Sequence, residues 1–262
     1  MNIMVCIKQV PASSEVKIDP VTGNLIRDGK NVKLNPFDLF ALEAAFQINE
    51  QIGGSIHALT MGPDSAIRVL KEAIYMGADK GTVISDRKFA GADVLATAYT
   101  ISQMIDHIGN FDLVICGKQT TDGDTAQVGP EIAENLTIPH VPYVKEILEV
   151  YEDYVVVRSG YDTHDEIVKV TLPALLTIEK DANTPRLPSY KRKQAFKDSD
   201  INIIRFNDLK NQTLEHYGLL GSPTQVEEMF SPDTKLDSKA IKGDAKTMAK
   251  GLFDVLKESQ FI

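Results

Sequence analysis

Apolar positions in the first half of the chain alternate between two periods. Ile3, Val5 and Ile7, with Met4 and Cys6 between them, form a run apolar on both faces, as in a strand buried within a parallel sheet. Lys8-Gln9-Val10-Pro11 ends that run. Residues 16–29 hold two short β-like runs around Asp19-Pro20-Val21-Thr22-Gly23-Asn24, which predicts a hairpin excursion. Asn35-Pro36 supplies a cap and a first-turn proline, so a helix is expected to about Ile52, where Gly53-Gly54 stops it. A strand at Ser55–Met61 follows, then a turn and cap at Gly62-Pro63-Asp64. Ile67, Leu70, Ala73 and Ile74 keep helical spacing as far as Gly77. Residues 82–85 form a third strand. Val94, Ala98, Ile101, Ile105 and Ile108 then line one helix face, and 111–116 is a fourth strand. This succession predicts an α/β protein with an open, doubly wound and mostly parallel sheet.

Beyond Pro139 the texture changes. Residues 147–150, 154–158 and 167–172 and Ala174–Ile178 are short β-rich runs expected to complete or flank the sheet. From Asp181 the chain is polar, is punctuated by Pro185 and Pro188, and holds the cluster Lys191-Arg192-Lys193. The tail resumes with residues 218–230 and an amphipathic helix over about 239–257, with Ile241, Met248, Leu252 and Leu256 as a docking stripe. The expected division is an α/β domain over 1–180 and a C-terminal arm over 181–262. A tail without its own core either extends along a partner or is disordered.

Charge and cysteine content narrow the function classes. Of 262 residues, 37 are acidic and 28 basic, a net charge of −9 that argues against electrostatic binding to nucleic acid or anionic membranes. No apolar run reaches the roughly 18 residues that cross a bilayer. Cys6 and Cys116 are the only cysteines, too few for a disulfide framework or a thiolate metal site, and a reducing cytoplasm fits them. The five histidines share no metal-ligand spacing. There is no G-x-G-x-x-G after the first strand, no Walker loop and no G-x-S-x-G elbow.

In an open α/β sheet, ligands bind beyond the carboxyl ends of the strands, where strand order reverses. The most informative of those loops follows the fourth strand: Gly117-Lys118-Gln119-Thr120-Thr121-Asp122-Gly123-Asp124-Thr125-Ala126-Gln127-Val128-Gly129-Pro130. Its glycines permit close backbone approach, and Asp124 or Thr125 is placed to cap the next helix, whose first N–H groups suit a phosphate. Asp122 and Asp124 would repel a phosphate, so ribose hydroxyls or backbone capping suit them better. The plain alternative is a capped turn.

Over nearly its whole length the chain resembles the β subunit of electron transfer flavoproteins. The resemblance is carried by Val5-Cys6-Ile7-Lys8-Gln9-Val10-Pro11, Leu34-Asn35-Pro36-Phe37-Asp38, Met61-Gly62-Pro63, Met76-Gly77-Ala78-Asp79 and Cys116-Gly117-Lys118-Gln119, in that order. Leu172-Pro173-Ala174-Leu175-Leu176-Thr177 and Asn183-Thr184-Pro185-Arg186-Leu187-Pro188 add to it. The fold it implies is adenine-nucleotide α-hydrolase-like. The implied cofactor site comprises Cys6, Asn35, Pro36, Phe37, Asp38, Met61 and the loop from Gly117 to Val128. Leu187 takes the place of a hydrophobic anchor for partner dehydrogenases. The loop over 122–130 and Gly221-Ser222-Pro223-Thr224-Gln225-Val226 resemble the anaerobic, electron-bifurcating type. One stretch departs from the family pattern, residues 158–166, and no role is assigned to it.

For that type the resemblance implies an FAD in this subunit, NAD as electron donor or acceptor, and ferredoxin as one partner. An α subunit with its own FAD passes the other electron to a dehydrogenase of acyl-CoA, enoyl-CoA or lactate type. No catalytic acid or base is nominated, and no complete active site is expected in the isolated chain. Two alternatives stand beside this reading: a non-bifurcating β subunit holding AMP, and a stand-alone adenine-nucleotide hydrolase or sensor.

Overall fold

A computed structural model describes residues 1–12, 31–225 and 240–262, and the chain divides into two compact units, Met1–Val226 and Glu227–Ile262. The hairpin expected over 16–29 falls outside the described residues.

The first unit opens with β1 (Asn2–Cys6), then β2 (Gln9–Pro11) and β3 (Val32–Leu34), which pair antiparallel with each other. Next come α1 (Pro36–Ile52), β4 (Ser55–Met61), α2 (Ile67–Met76), β5 (Lys80–Ile84), α3 (Val94–Ile108), β6 (Leu113–Gly117) and α4 (Val128–Leu136). These are the expected elements, within two or three residues at each end. Pro36 opens α1, and Gly53 ends it at φ 71, the left-handed region that glycine enters without strain.

Strand β10 (Ala174–Ile178) lies beside β6, on the side away from β1, and β7 (His140–Val150) lies beyond it; both pairings are parallel. Strands β8 (Tyr154–Gly160) and β9 (Asp165–Thr171) then add antiparallel, so residues 158–166 form part of an edge hairpin. The full order is β11-β5-β4-β1-β6-β10-β7-β8-β9, where β11 is Ile201–Ile204.

Period-2 alternation divides the apolar side chains between two cores. Ile3, Val5, Leu113 and Ile115 pack under α1 and α2, whereas Met4, Val114 and Cys116 pack under α3 and α4. The sheet is therefore covered on both faces, which explains why its central strands read as unbroken apolar runs.

The division expected near residue 180 is corrected: the chain separates after Val226. Residues 181–217 return to the sheet. The short helix α5 (Tyr190–Ala195) is followed by β11, which pairs parallel with β5, and Ile204, Phe206, Leu209 and Tyr217 are buried in the second core. Tyr217 packs against Phe89, Tyr99 and Phe206 and donates its hydroxyl to Asn211 O at 2.6 Å. The basic cluster is also divided. Arg192 donates to the carbonyls of Ile74, Gly77 and Ala78 at the end of α2, while Lys191 and Lys193 stay exposed.

The second unit contains α6 (Ala245–Glu258), capped by Asp244, which accepts from Thr247 N at 2.8 Å. Met248, Leu252 and Val255 on it are exposed. No helix among the described residues is long and apolar enough to cross a membrane.

Candidate functional site: a crevice where the strand order reverses

From β1 the chain winds outward through β4 and β5 in one direction and through β6 and β10 in the other. The loops after β1 and β6 therefore separate and leave a crevice at the carboxyl ends of those strands. Cys6 and Cys116 are in register across the pair at that end. The Cys116 thiol is pushed up by its hydrogen bond with Cys6 and by burial, which keeps it protonated at neutral pH.

A buried polar brace ties three segments around the crevice. Asn35, fully buried ahead of α1, donates its amide to Asp38 Oδ1 at 2.9 Å and to Gln119 O at 2.9 Å. Its Oδ1 accepts from Thr121 N at 3.3 Å. Its backbone N–H donates to Lys8 O at 2.9 Å, and Lys8 N donates to Asp38 Oδ2 at 2.7 Å. Lys8 Nζ reaches Asp122 Oδ1 at 2.8 Å. Burial pushes the Asp38 carboxyl up to about 7, against the opposing pull of the Asn35 and Lys8 donors.

Gly117 is a steric requirement of the brace. A Cβ there would stand 2.5 Å from Asp38 Oδ1 and 2.8 Å from Phe37 C. Gly129 is required likewise, since its Cβ would lie 2.6 Å from Thr177 Cγ2. At Gly123 a Cβ would meet only Thr120 Oγ1, at 3.4 Å, an ordinary contact. The fold alone therefore does not demand a glycine at 123.

Between Gly117 and α4 the loop is open. Asp124 N donates to Thr120 O at 3.0 Å, and Asp124 and Ala126 both adopt φ 55, a left-handed conformation that costs a non-glycine residue about 1 kcal/mol or more. The expectation that Asp124 or Thr125 caps the next helix is corrected. Gln127 is the cap residue and gives no side-chain bond, whereas Asp124 accepts from Gln119 Nε2 instead. The amides of Val128 and Gly129 consequently donate to no acceptor among the described residues, and Pro130 has none to give. These N–H groups and the helix dipole suit a phosphate. Asp122 is paired with the Lys8 ammonium, and Asp124 turns its charged carboxylate to Gln119. Burial works against the charged form of Asp122, and Lys8 outweighs it and leaves the carboxyl below its usual range.

The structure gathers Asn35, Pro36, Phe37, Asp38, Cys6 and the loop from Gly117 to Val128 around one crevice. Met61 ends β4, on the neighbouring strand. Leu187 lies elsewhere, 86% exposed. Three groups were missed from sequence: Lys8, whose signal was a lysine directly after a buried strand; Glu179, which holds Lys118 at 3.0 Å; and Tyr143, whose ring lies 4.9 Å from Lys118 Nζ. Thr224 is a further addition, because its backbone N–H and hydroxyl both donate to Asp93 at the start of α3.

An open sheet with a braced crevice and free helix-start amides at its switch point defines an α/β protein of the doubly wound class. The profile of the electron transfer flavoprotein domain matches residues 22–205. The chain belongs to the electron transfer flavoprotein family, on its β-subunit side. It is 43% identical to the electron transfer flavoprotein subunit beta of Thermoanaerobacterium thermosaccharolyticum, over 100% of both chains. It is 42% identical to the caffeyl-CoA reductase-Etf complex subunit CarD of Acetobacterium woodii, again over 100% of both. It is 39% identical to protein FixA of Sinorhizobium fredii, over 98% of this chain and 92% of that one.

Proposed function

We propose that this chain is the β subunit of a flavin-bifurcating electron transfer flavoprotein and that its crevice holds an FAD. The observation that carries this reading is Gly123. The fold tolerates a side chain there, so its absence clears the crevice rim for a cofactor larger than a mononucleotide. The full-length similarity to CarD, a subunit of a complex named for caffeyl-CoA reductase, points the same way.

The first turn of α4 offers Val128 and Gly129 N–H to a phosphate. The Asn35–Asp38 brace fixes the loop backbone against the sheet, and Lys8 neutralises Asp122 beside the entry. A bound FAD would supply the redox chemistry: hydride exchange with NADH, one electron sent to ferredoxin, and the other sent through an α-subunit FAD to a partner dehydrogenase of acyl-CoA, enoyl-CoA or lactate type. This chain contributes binding, orientation and a docking loop at Leu187. The second reading, a β subunit holding AMP, is favoured by the same phosphate-ready helix start, since a mononucleotide needs nothing more.

Purifying the αβ complex, denaturing it and counting released nucleotides separates the two. Two FAD per heterodimer is the expected result; one FAD with one AMP establishes the second reading. Bulky acidic side chains at Gly123 and Ala126 should lower FAD occupancy in this subunit, and unchanged occupancy would refute the steric account.

A further inference from the structure

The loop that presents Leu187 is held by an ion pair set into the body of the protein. Glu43 sits on the inner face of α1 among Ala41, Leu42, Ala44 and Ala45, all buried, and its own side chain is only 6% exposed. Arg186 meets it with both arms of its guanidinium: Nε donates to Oε2 at 2.8 Å and Nη2 to Oε1 at 2.9 Å. The backbone N–H of Arg186 donates to the same Oε2 at 3.1 Å, so the carboxylate fixes main chain as well as side chain. Arg186 Nη1 also reaches Glu50 at 2.7 Å, and its guanidinium lies 4.8 Å from the centre of the Phe46 ring. Burial works against a charged Glu43, yet the Arg186 bonds outweigh it and leave the carboxyl below its usual range.

A half-buried ion pair is a poor way to gain stability, because desolvating its charges offsets much of their attraction. What this pair adds is geometry. Asn183 Nδ2 donates to Phe40 O at 2.9 Å on one side of the loop, and Ser189 N donates to Tyr75 O at 2.8 Å on the other. Pro188 restricts Leu187 to extended backbone. With the loop pinned at three points, two of them through its main chain, Leu187 and Tyr190 project 86% and 73% exposed.

We propose that Glu43 and Arg186 are positioning residues for partner docking: they hold Leu187 and Tyr190 ready as apolar anchors, so a partner binds without having to order the loop. The proposal rests on the docking reading of Leu187 given above. The partner surface that fits is that of a flavin dehydrogenase with an apolar socket rimmed by carboxylates. Lys191 and Lys193 stand exposed beside the anchors and make no ion pair among the described residues. A preorganised loop lowers the entropic cost of association.

The test uses the αβ complex with its co-isolated dehydrogenase and follows electron transfer as dehydrogenase concentration is varied. Glu43→Gln and Arg186→Gln should each raise the KM for the dehydrogenase roughly tenfold, the scale of losing a charge-assisted hydrogen bond. The kcat at saturating partner, the flavin content and the rate with a small dye acceptor should not change. The double variant should cost no more than the worse single one, because the two residues act as a unit. Amides over 184–188 should exchange faster with solvent in these variants, and Arg186→Lys, which keeps the charge, should recover part of the lost KM. Leu187→Ala should raise KM without changing exchange. If Leu187→Ala leaves KM unaltered, the docking reading itself falls. If it raises KM while the Glu43 and Arg186 variants do not, the clamp is merely structural and the proposal is overturned.

Discussion

Helix α1 supports two loops, and it holds them differently. At its first turn Asn35 and Asp38 fasten the crevice loop through links shared among Lys8, Gln119 and Thr121, several of them to main chain. Further along it, Glu43 and Glu50 hold the Leu187 loop through one residue, the guanidinium and backbone N–H of Arg186. The crevice loop is thus held by links shared among several residues, whereas on α1 the Leu187 loop hangs mainly on Arg186, with the Asn183 and Ser189 hydrogen bonds at its two ends.

The sharpest way to break this comparison is at Gly117, where redundancy offers no relief. Gly117→Ala sets a Cβ against the backbone of Phe37 and a buried oxygen of Asp38, and should cost about 3 kcal/mol of stability and most of the bound cofactor. Chemical denaturation and flavin content measure both, and a neutral result would mean that the loop is not held by close packing.

Asp38→Ala comes next. It leaves Asn35 Nδ2 and Lys8 N without one partner each and should cost about 1–3 kcal/mol, less than the sum of its bonds because Asn35 keeps its hold on Gln119. A loss far above that range would show that the brace depends on one carboxylate after all.

Acidity separates the two ends of the sheet. Asp38, its carboxyl raised from 3.8 to about 7, keeps in the folded state a proton that the unfolded chain releases, so its contribution to stability falls as pH rises through that window. His57, on β4 and bonded to Thr82 Oγ1 at 2.8 Å, is lowered from 6.5 to about 4 by burial and by Lys80. It resists protonation when folded, so its contribution falls in the other direction, as pH drops from 6.5 towards 4. Asp38→Asn should flatten the loss that accompanies rising pH between about 4 and 7, and His57→Gln the loss that accompanies falling pH from 6.5 towards 4. Urea midpoints across about pH 4 to 8 test each sign separately.

The smallest stability effect is expected at Gly123. Gly123→Ala should change stability by no more than about 0.5 kcal/mol, since the added methyl meets only Thr120 Oγ1. Its consequence should appear in FAD affinity, measured by reconstitution of the αβ complex. A destabilised but fully loaded variant would reverse the contrast drawn between Gly117 and Gly123.

Much of this was legible in the residues themselves. The Pro36 start and Gly53 stop of α1, the apolar face of the helix at Val94–Ile108 and the apolar runs of β1 and β6 are local signals, and they mark the crevice loops without any tertiary contact. The cap of α4 was misplaced because Asp124 has the right chemistry but turns its carboxylate to Gln119, a choice set by two left-handed residues that no local pattern announces. The return of 181–217 was missed for a related reason. Ile201-Asn202-Ile203-Ile204 is only four residues long in a polar setting, and its partner β5 lies far back in the chain.

The sequence by itself determined the alternation of strands and helices, the turns that punctuate it and the open loop after β6, because these depend on periodicity and backbone preference over a few residues. The tertiary structure alone decided which strands are neighbours, that Asp122 is neutralised by Lys8, and that the buried charge of Glu43 meets Arg186 across 143 residues. Such pairings are fixed by burial and shape between distant segments, and neither quantity exists until the chain has closed on itself.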